Sequence, residues 1–259
     1  MKELAISIRC YNKDNYINII DNIKKVGFKN VFIEWYDTDI ELQNNILNYV
    51  RESNLNIIFA HLGYLNANAL WEPDGESECE HYIRNIKECK ENGIDTVVLH
   101  PTYTFEIPLI TEIGLNRVRK ILDFAKECGV KVAFENVEYV THLESIIKSI
   151  DLENCGVCFD VGHCHLFSDD IINIELFKNR VFLIHLHDNF KENDDHNLPF
   201  DGTVDWNDAI YKIKEMNYNG FVIIESGYNG YYSNITLEEY YKLAYTRGEE
   251  LLKRLNDDK

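Results

Sequence analysis

Six short apolar runs along this chain each close on a carboxylate or an imidazole, at Glu34, His61, His100, Glu135, Asp160 and Glu225, and a seventh carries the pair His185 and His187. Neutral imidazoles and anionic oxygens are what divalent zinc, manganese or magnesium require as ligands. Asp160-Val161-Gly162-His163 adds an imidazole three residues after a carboxylate, across what reads as a glycine turn, close enough to serve one ion or two adjacent ones. Asp194 and His196 stand in Asp188–Pro199, a stretch too polar for core, whose plain alternative is a solvated acidic loop. A lone histidine at a strand end is more often a hydrogen-bonded structural residue than a ligand, so the case rests on convergence. Glu135, Asp160, His185 and Glu225 form the strongest ligand set; His61, His100, His163, Asp194 and His196 extend it if more than one ion is held. His165 and His187 read as residues that orient ligands or as local ones, Glu34 as a hydrogen-bonding residue, and His81 and His142 as surface residues of helices.

Convergence requires a scaffold. The apolar runs are predicted strands: Leu4 to Arg9, Asn30 to Glu34, Asn56 to His61, Thr96 to His100, Val130 to Glu135, Gly156 to Asp160, Val181 to His187 and Phe221 to Glu225. Segments with helical apolar spacing follow each, over 15–26, 39–53, 77–92, 111–128, 141–150, 170–178, 206–216 and 236–255. Gly27, Gly93 and Gly129 fall just past three of these helices, where a left-handed cap favours glycine. Eight β–α units imply a parallel sheet closed into a single (β/α)8 TIM barrel, one domain over residues 1–259. The long predicted loops, about 62–76, 101–110 and 188–205, all follow strands and hold all four prolines. They belong to the C-terminal mouth, where such barrels place their sites.

Composition narrows the partners. Lys and Arg total 26 against 44 acids, a formal net charge of −18 without a segregated basic patch, which argues against nucleic acid. Seven cysteines without a CxxC pair read as reduced thiols. No run is long and apolar enough for a membrane span, and Met1-Lys2-Glu3 leads straight into a strand rather than a signal segment, so a cytoplasmic location is expected.

The segments Phe134-Glu135-Asn136, Phe159-Asp160-Val161-Gly162-His163, Ile184-His185-Leu186-His187-Asp188-Asn189, Asp194-Asp195-His196, Gly202-Thr203-Val204-Asp205-Trp206 and Ile224-Glu225-Ser226 resemble the xylose isomerase-like barrel superfamily, in particular its sugar phosphate isomerase/epimerase branch. The resemblance covers nearly the whole chain. It implies one divalent ion, often manganese, on Glu135, Asp160, His185 and Glu225, with Glu135 and Glu225 as catalytic acid and base. It also implies His163 as a substrate contact, a small sugar or sugar phosphate as partner and, since relatives often pair, a homodimer. The chain is similar as well to endonuclease IV, a zinc enzyme acting at abasic DNA, whose three-ion ligand set would match all nine candidates. One to three manganese or zinc ions are therefore expected. Phe200-Asp201-Gly202 departs from the Gly-acid-Gly turn usual in relatives, which puts that loop's shape in question.

From these readings the expected activity is a metal-dependent sugar isomerase or epimerase working through an enediolate, with a multinuclear zinc phosphodiesterase as the alternative and a non-catalytic binder as the third. His187, Tyr64, Trp71 and Tyr103, with His163, are the expected substrate contacts; Phe190 and Tyr228 are further loop aromatics that could wall off water.

Overall fold

A computed structural model describes residues 2–10, 15–104, 106, 108–168 and 171–257. Its strands are β1 (Leu4–Ile8), β2 (Asn30–Glu34), β3 (Asn56–His61), β4 (Thr96–Leu99), β5 (Lys131–Glu135), β6 (Cys155–Asp160), β7 (Val181–His185) and β8 (Val222–Ile224). The helices are α1 (Tyr16–Val26), α2 (Ile40–Glu52), α3 (Glu76–Glu91), α4 (Glu112–Glu127), α5 (Val140–Ser149), α6 (Val161–Phe167), α7 (Ile174–Phe177), α8 (Trp206–Glu215) and α9 (Leu237–Asn256). All neighbouring strands pair in parallel, from β7 in sequence order to β1 and then β8. Leu186 closes the remaining seam, donating its N–H to Ile223 O at 2.9 Å and accepting from Glu225 N at 3.1 Å. The fold is the expected (β/α)8 TIM barrel.

The pleat explains the site. Ala5, Phe32, Phe59, Val98, Ala133, Cys158, Leu183 and Ile223, one from each strand, form a buried cluster of their own inside the barrel. A much larger cluster fills the space between strands and helices. Side chains two residues apart share a face of a strand. Adding two to each inner residue gives Ser7, Glu34, His61, His100, Glu135, Asp160, His185 and Glu225, so the polar ring sits directly above an apolar plug. Phe32 and Phe59 form the floor, stacked on the His185 ring with centroids 5.4 and 5.5 Å away.

Gly27, Gly93 and Gly129 do adopt positive φ after α1, α3 and α4. Four expectations need correction. Asp160-Val161-Gly162-His163 is not a turn: Asp160 caps α6, accepting from His163 N at 2.6 Å, so strand passes directly into helix. The helix expected over 170–178 is reduced, among the described residues, to the single turn of α7; residue 170 lies outside them. His142 is buried rather than on the surface, because α5 turns it edge-on against Trp71 at 4.6 Å. His81 is half-buried as well, held by Asp37 and, at 3.3 Å, by Glu78. No helix among the described residues is long and apolar enough to cross a membrane.

Candidate metal centre

Glu135, Asp160, His185 and Glu225 each offer a ligand atom, and these atoms all lie within 4.8 Å of one another. His185 Nδ1 stands 3.3 Å from Glu135 Oε1, 3.7 Å from Asp160 Oδ2 and 3.0 Å from Glu225 Oε2. Ligand atoms about 2.1 Å from one ion lie roughly 3.0–3.4 Å apart, so the spacing suits a divalent cation. Asp160 Oδ2 and Glu225 Oε2 are buried without a well-formed hydrogen bond, and both face His185 Nδ1 across ion-pair distances. Orphaned carboxylate oxygens at the bottom of a barrel are costly unless an ion satisfies them.

Two further sets adjoin this one. Glu135 Oε2 faces His61 Nε2 at 3.1 Å and His100 Nε2 at 3.4 Å, so its carboxylate reaches both sets, one oxygen to each. In the third set Asp194 Oδ2 lies 3.4 Å from His163 Nε2 and 2.9 Å from His196 Nε2. Backbone carbonyls orient three of these rings: His61 Nδ1 lies 3.1 Å from Leu62 O, His163 Nδ1 3.1 Å from Asn136 O, and His196 Nδ1 3.0 Å from Glu225 O. A proton held on Nδ1 leaves Nε2 as the lone-pair donor, the arrangement by which outer groups prepare a metal-binding histidine.

Charge is distributed to match. Burial disfavours ionisation of Glu135, but His185, His100 and His163 outweigh it and hold its carboxyl well below the usual range. Glu225 is likewise driven well below it, chiefly by His185 against burial, and Asp194 by His196 and His163. Burial works against protonation of His163, yet Asp160 and Asp194 raise it well above the ordinary imidazole value. His185 rises well above that value too, since Cys158, Glu225 and Glu135 overcome its burial. At His100 burial, aided by His61 and His163, outweighs Glu135 and lowers its pKa. The candidate ligands pair with one another, and any ion bound here would have to displace protons from the imidazoles.

Several supporting residues carried no assigned role in the sequence reading. Asn136 clasps the start of α6, donating from Nδ2 to Asp160 O and accepting from Asp160 N, both at 2.8 Å. Asp188 is fully buried and organises the loop bearing Asp194 and His196, accepting from Asn189 N, Val204 N, Phe200 N and the Trp206 indole at 2.9–3.0 Å. Gly202 must lack a side chain, because a Cβ there would fall 2.3 Å from Asp188 Oδ1. Phe200 takes a positive φ, 76°, that a glycine would take more easily. The Phe200 ring packs on Trp206 at 5.3 Å and under Arg254 at 5.8 Å. The clue to both residues was the run His187-Asp188-Asn189 together with Gly202 and Trp206; a buried carboxylate accepting four donors gives that run its physical reason.

The sequence profile of the xylose isomerase-like TIM barrel family matches residues 20–247. The chain belongs to this family. Among its curated relatives, an uncharacterized protein of Methanocaldococcus jannaschii is 28% identical over 157 residues, 54% of this chain and 54% of that one, so the chain spans about half of that relative's length. An inosose isomerase of Halalkalibacterium halodurans is 23% identical over 96% of this chain and 93% of its own. A "Probable endonuclease 4" of Mycoplasma capricolum is 30% identical over 47% of this chain and 48% of its own. A solved D-tagatose 3-epimerase-like protein superposes with a TM-score of 0.74 at 20% identity, covering 98% of both chains, which is a likeness of fold.

In this xylose isomerase-like barrel all nine candidate ligands converge on the mouth, and His187 joins them. Its Nε2 lies 3.1 Å from Asp160 Oδ1, and its ring stacks face to face on His196 at 4.1 Å. Two rings stacked in parallel cannot aim their in-plane lone pairs at one ion, so of this pair at most one could ligate a given ion while the other packs against it. Gly162 provides the space, since a Cβ there would fall 2.0 Å from His187 Cε1. Tyr64 lies over His100 with centroids 4.2 Å apart, and Tyr103 lies 5.1 Å from Tyr64. Trp71 corrects the expectation of a substrate wall: it is fully buried, donates to Pro101 O at 2.7 Å and fills the space above Gly114. Tyr228 spends its hydroxyl on Ile235 O at 2.6 Å, and Phe190 is exposed near Tyr231. Glu34, half-buried, lies 3.8 Å from His61 Nδ1.

Proposed function

We propose that this protein is a divalent-metal-dependent isomerase or epimerase of a small sugar or related polyol. The reading rests on one observation above others, the four-residue set Glu135, Asp160, His185 and Glu225, two of whose buried oxygens form no hydrogen bond of good geometry. Its affinity with an inosose isomerase along nearly its whole length supports the same class. Manganese or zinc at that set would supply Lewis acidity, lowering the cost of negative charge on a carbonyl and the adjoining hydroxyl. The chain's own groups do the proton work. Glu135 and Glu225 are both held ionised and flank His185 Nδ1. One carboxylate takes the proton from the carbon beside the carbonyl and becomes protonated; the other, once it has taken a proton from solvent, delivers it to that carbon or its neighbour, and exchange with solvent restores the pair. His163 and the Tyr64–Tyr103 pair contact the substrate, and the apolar floor keeps water from the carbanion.

Loading the purified chain with manganese or zinc and incubating it with a panel of ketoses and inososes in deuterium oxide tests the idea. Incorporation of solvent deuterium at the carbon next to the carbonyl is the expected result; its absence across the panel sinks the proposal.

A second reading is favoured by one specific feature, the presence of His61–His100–Glu135 and His163–Asp194–His196 beside the main set. Three loaded ions would suit hydrolysis of a phosphate ester, and release of phosphate or cleavage of a phosphodiester would be its signature.

A further inference from the structure

The loop after β4 takes its shape from its neighbours. Thr104 has a φ of 72°, in the left-handed region where a residue branched at Cβ is strained. Such a conformation persists only where the surroundings over-determine it. Glu138, in the loop after β5, accepts from Thr104 N at 3.2 Å. One residue earlier the hold is tighter. Asn68, in a short 3-10 helix (Ala67–Trp71) of the loop after β3, treats Tyr103 as a paired strand would: its Oδ1 accepts from Tyr103 N at 2.8 Å and its Nδ2 donates to Tyr103 O at 2.7 Å. A further donation from Nδ2 reaches Glu106 O at 3.1 Å. The same short helix grips the loop at both ends, where Trp71 donates to Pro101 O at 2.7 Å and its carbonyl accepts from Thr111 Oγ1 at 2.9 Å.

Those end contacts fix where the loop leaves β4 and where it enters α4. Asn68 instead holds the residue whose ring joins the aromatic wall over the histidines. Tyr103 packs on Tyr64 at 5.1 Å, and Tyr64 lies over His100 at 4.2 Å and edge-on to His61 at 5.7 Å. With its N–H and C=O both fixed, Tyr103 keeps only its side-chain torsions to place that ring. On the other side of the turn, Glu138 joins Tyr139, Phe167 and Glu192 in lining an acidic cleft of about 470 Å³ beside the candidate ligand Asp194. The Tyr103–Thr104 turn thus ties the aromatic pair over His100 to the edge of that opening. Among the described residues Asn68 makes no hydrogen bond to a candidate ligand, so its influence on the centre passes through the backbone it holds.

We propose that Asn68 is a positioning residue: by holding the backbone of Tyr103 at both its N–H and its C=O, it sets the Tyr64–Tyr103 pair on the substrate side of the candidate centre. The proposal deepens the isomerase reading and rests on it for the effect on turnover. Two measurements separate their failures. First, the metal-free full chain is labelled with fluorotyrosine, and the Tyr103 fluorine NMR signal is assigned by its loss in Tyr103→Phe. Asn68→Ala should move that signal toward the position of a solvent-exposed fluorotyrosine, and Tyr64→Ala should move it too by removing the neighbouring ring. Phe200→Ala, which loosens packing on Trp206 elsewhere, should leave it in place. A Tyr103 signal unmoved by Asn68→Ala, or moved as far by Phe200→Ala, overturns the proposal. Second, deuterium incorporation by the metal-loaded chain is followed on the ketose and inosose panel. N68A and Y103A should each lower kcat/KM about tenfold, the order expected when a substrate-positioning group is misplaced. The double variant N68A/Y103A should be no worse than Y103A, because a residue that acts through another adds nothing once that other is gone. Losses that multiply in the double variant overturn the proposal. Turnover of no sugar by the wild-type chain defeats the isomerase reading, and the fluorine signal then decides by itself whether Asn68 sets Tyr103.

Discussion

Glu135→Gln is the most informative single change, because Glu135 belongs to two ligand sets at once. Its Oε2 faces His61 and His100, its Oε1 faces His185 and His163, and no part of it meets solvent. Glutamine keeps the shape and removes the charge. Coulomb attraction at 3.3 Å with an effective dielectric near 20 is about 5 kcal/mol for each charged partner, with several kcal/mol of desolvation set against it. Breaking a buried ionic contact by removing one partner costs about 3–5 kcal/mol. Applied to ion binding, that weakens the dissociation constant by roughly a hundred- to several-thousand-fold. The assay is ion content per chain by inductively coupled plasma mass spectrometry after dialysis, with dissociation constants from competition with a chromophoric chelator. His196→Ala, in the set that does not use Glu135, is the comparison and should leave tightest-ion affinity within about tenfold. Should E135Q retain wild-type ion content with affinity inside the same tenfold window, the shared-ligand geometry is wrong.

Gly162→Ala drives a methyl group into the His187 ring and should cost about 1–3 kcal/mol in chemical denaturation; if G162A/H187A is no more stable than G162A, the proposed clash is not the cause. Phe200 spends a positive φ of 76° on a residue with a Cβ, so Phe200→Gly should be more stable than Phe200→Ala by about 1 kcal/mol, both having lost the ring's packing on Trp206. Equal midpoints for the two variants would refute backbone strain there. The Asp37–His81 contact predicts a pH window. His81 is raised by Glu78, then by Asp37, against its partial burial, so its contribution is full below about pH 6.5 and fades as pH rises through the raised folded value. Asp37 is lowered because His81 and Asn85 outweigh its burial, so its share is present above about pH 3.8 and is lost as pH falls. His81→Gln should therefore cost about 1 kcal/mol near pH 5.5 and less at pH 9, and a cost that grows with pH would contradict the pairing.

Period-two alternation made the ring of ligands readable before any coordinates, because each strand had to place its last inward residue at the mouth. The register that aligns Glu34 with His61 and Asp160 with His185 follows from the same hydrophobic pattern. Residues beyond the strand ends were less legible. The start of α6 was read as a turn because Gly162 looks like a breaker in sequence, whereas its missing side chain serves His187, a contact twenty-five positions away. His142 and Trp71 were misplaced for a related reason: amphipathic spacing tells which residues face inward on a helix only when the neighbouring loop is known, and here the loop after β3 folds down to meet α5. Asp188 escaped notice because its importance lies in four donors that the chain brings to it only after folding.

Ion number and substrate charge are a single question at this mouth. Glu135, Asp160, Asp194 and Glu225 bring four negative charges to the ligand sets, while ligating histidines are neutral. One divalent ion against those four leaves two negative charges, a site that repels a phosphate ester and accepts a polyol through its hydroxyls. Three divalent ions against the same four leave two positive charges, a site that draws phosphate in. The acidic cleft beside Asp194 belongs with the first case, and the completeness of the outer histidine sets belongs with the second. A chain found to load three ions and still to reject phosphate esters would mean that Glu138 and Glu192, outside the main ligand set, decide what enters. The ratio of kcat/KM for a free ketose to that for its phosphate ester, compared between the wild type and E138Q/E192Q, measures that contribution, since neither glutamate belongs to a ligand group while both line the cleft beside Asp194.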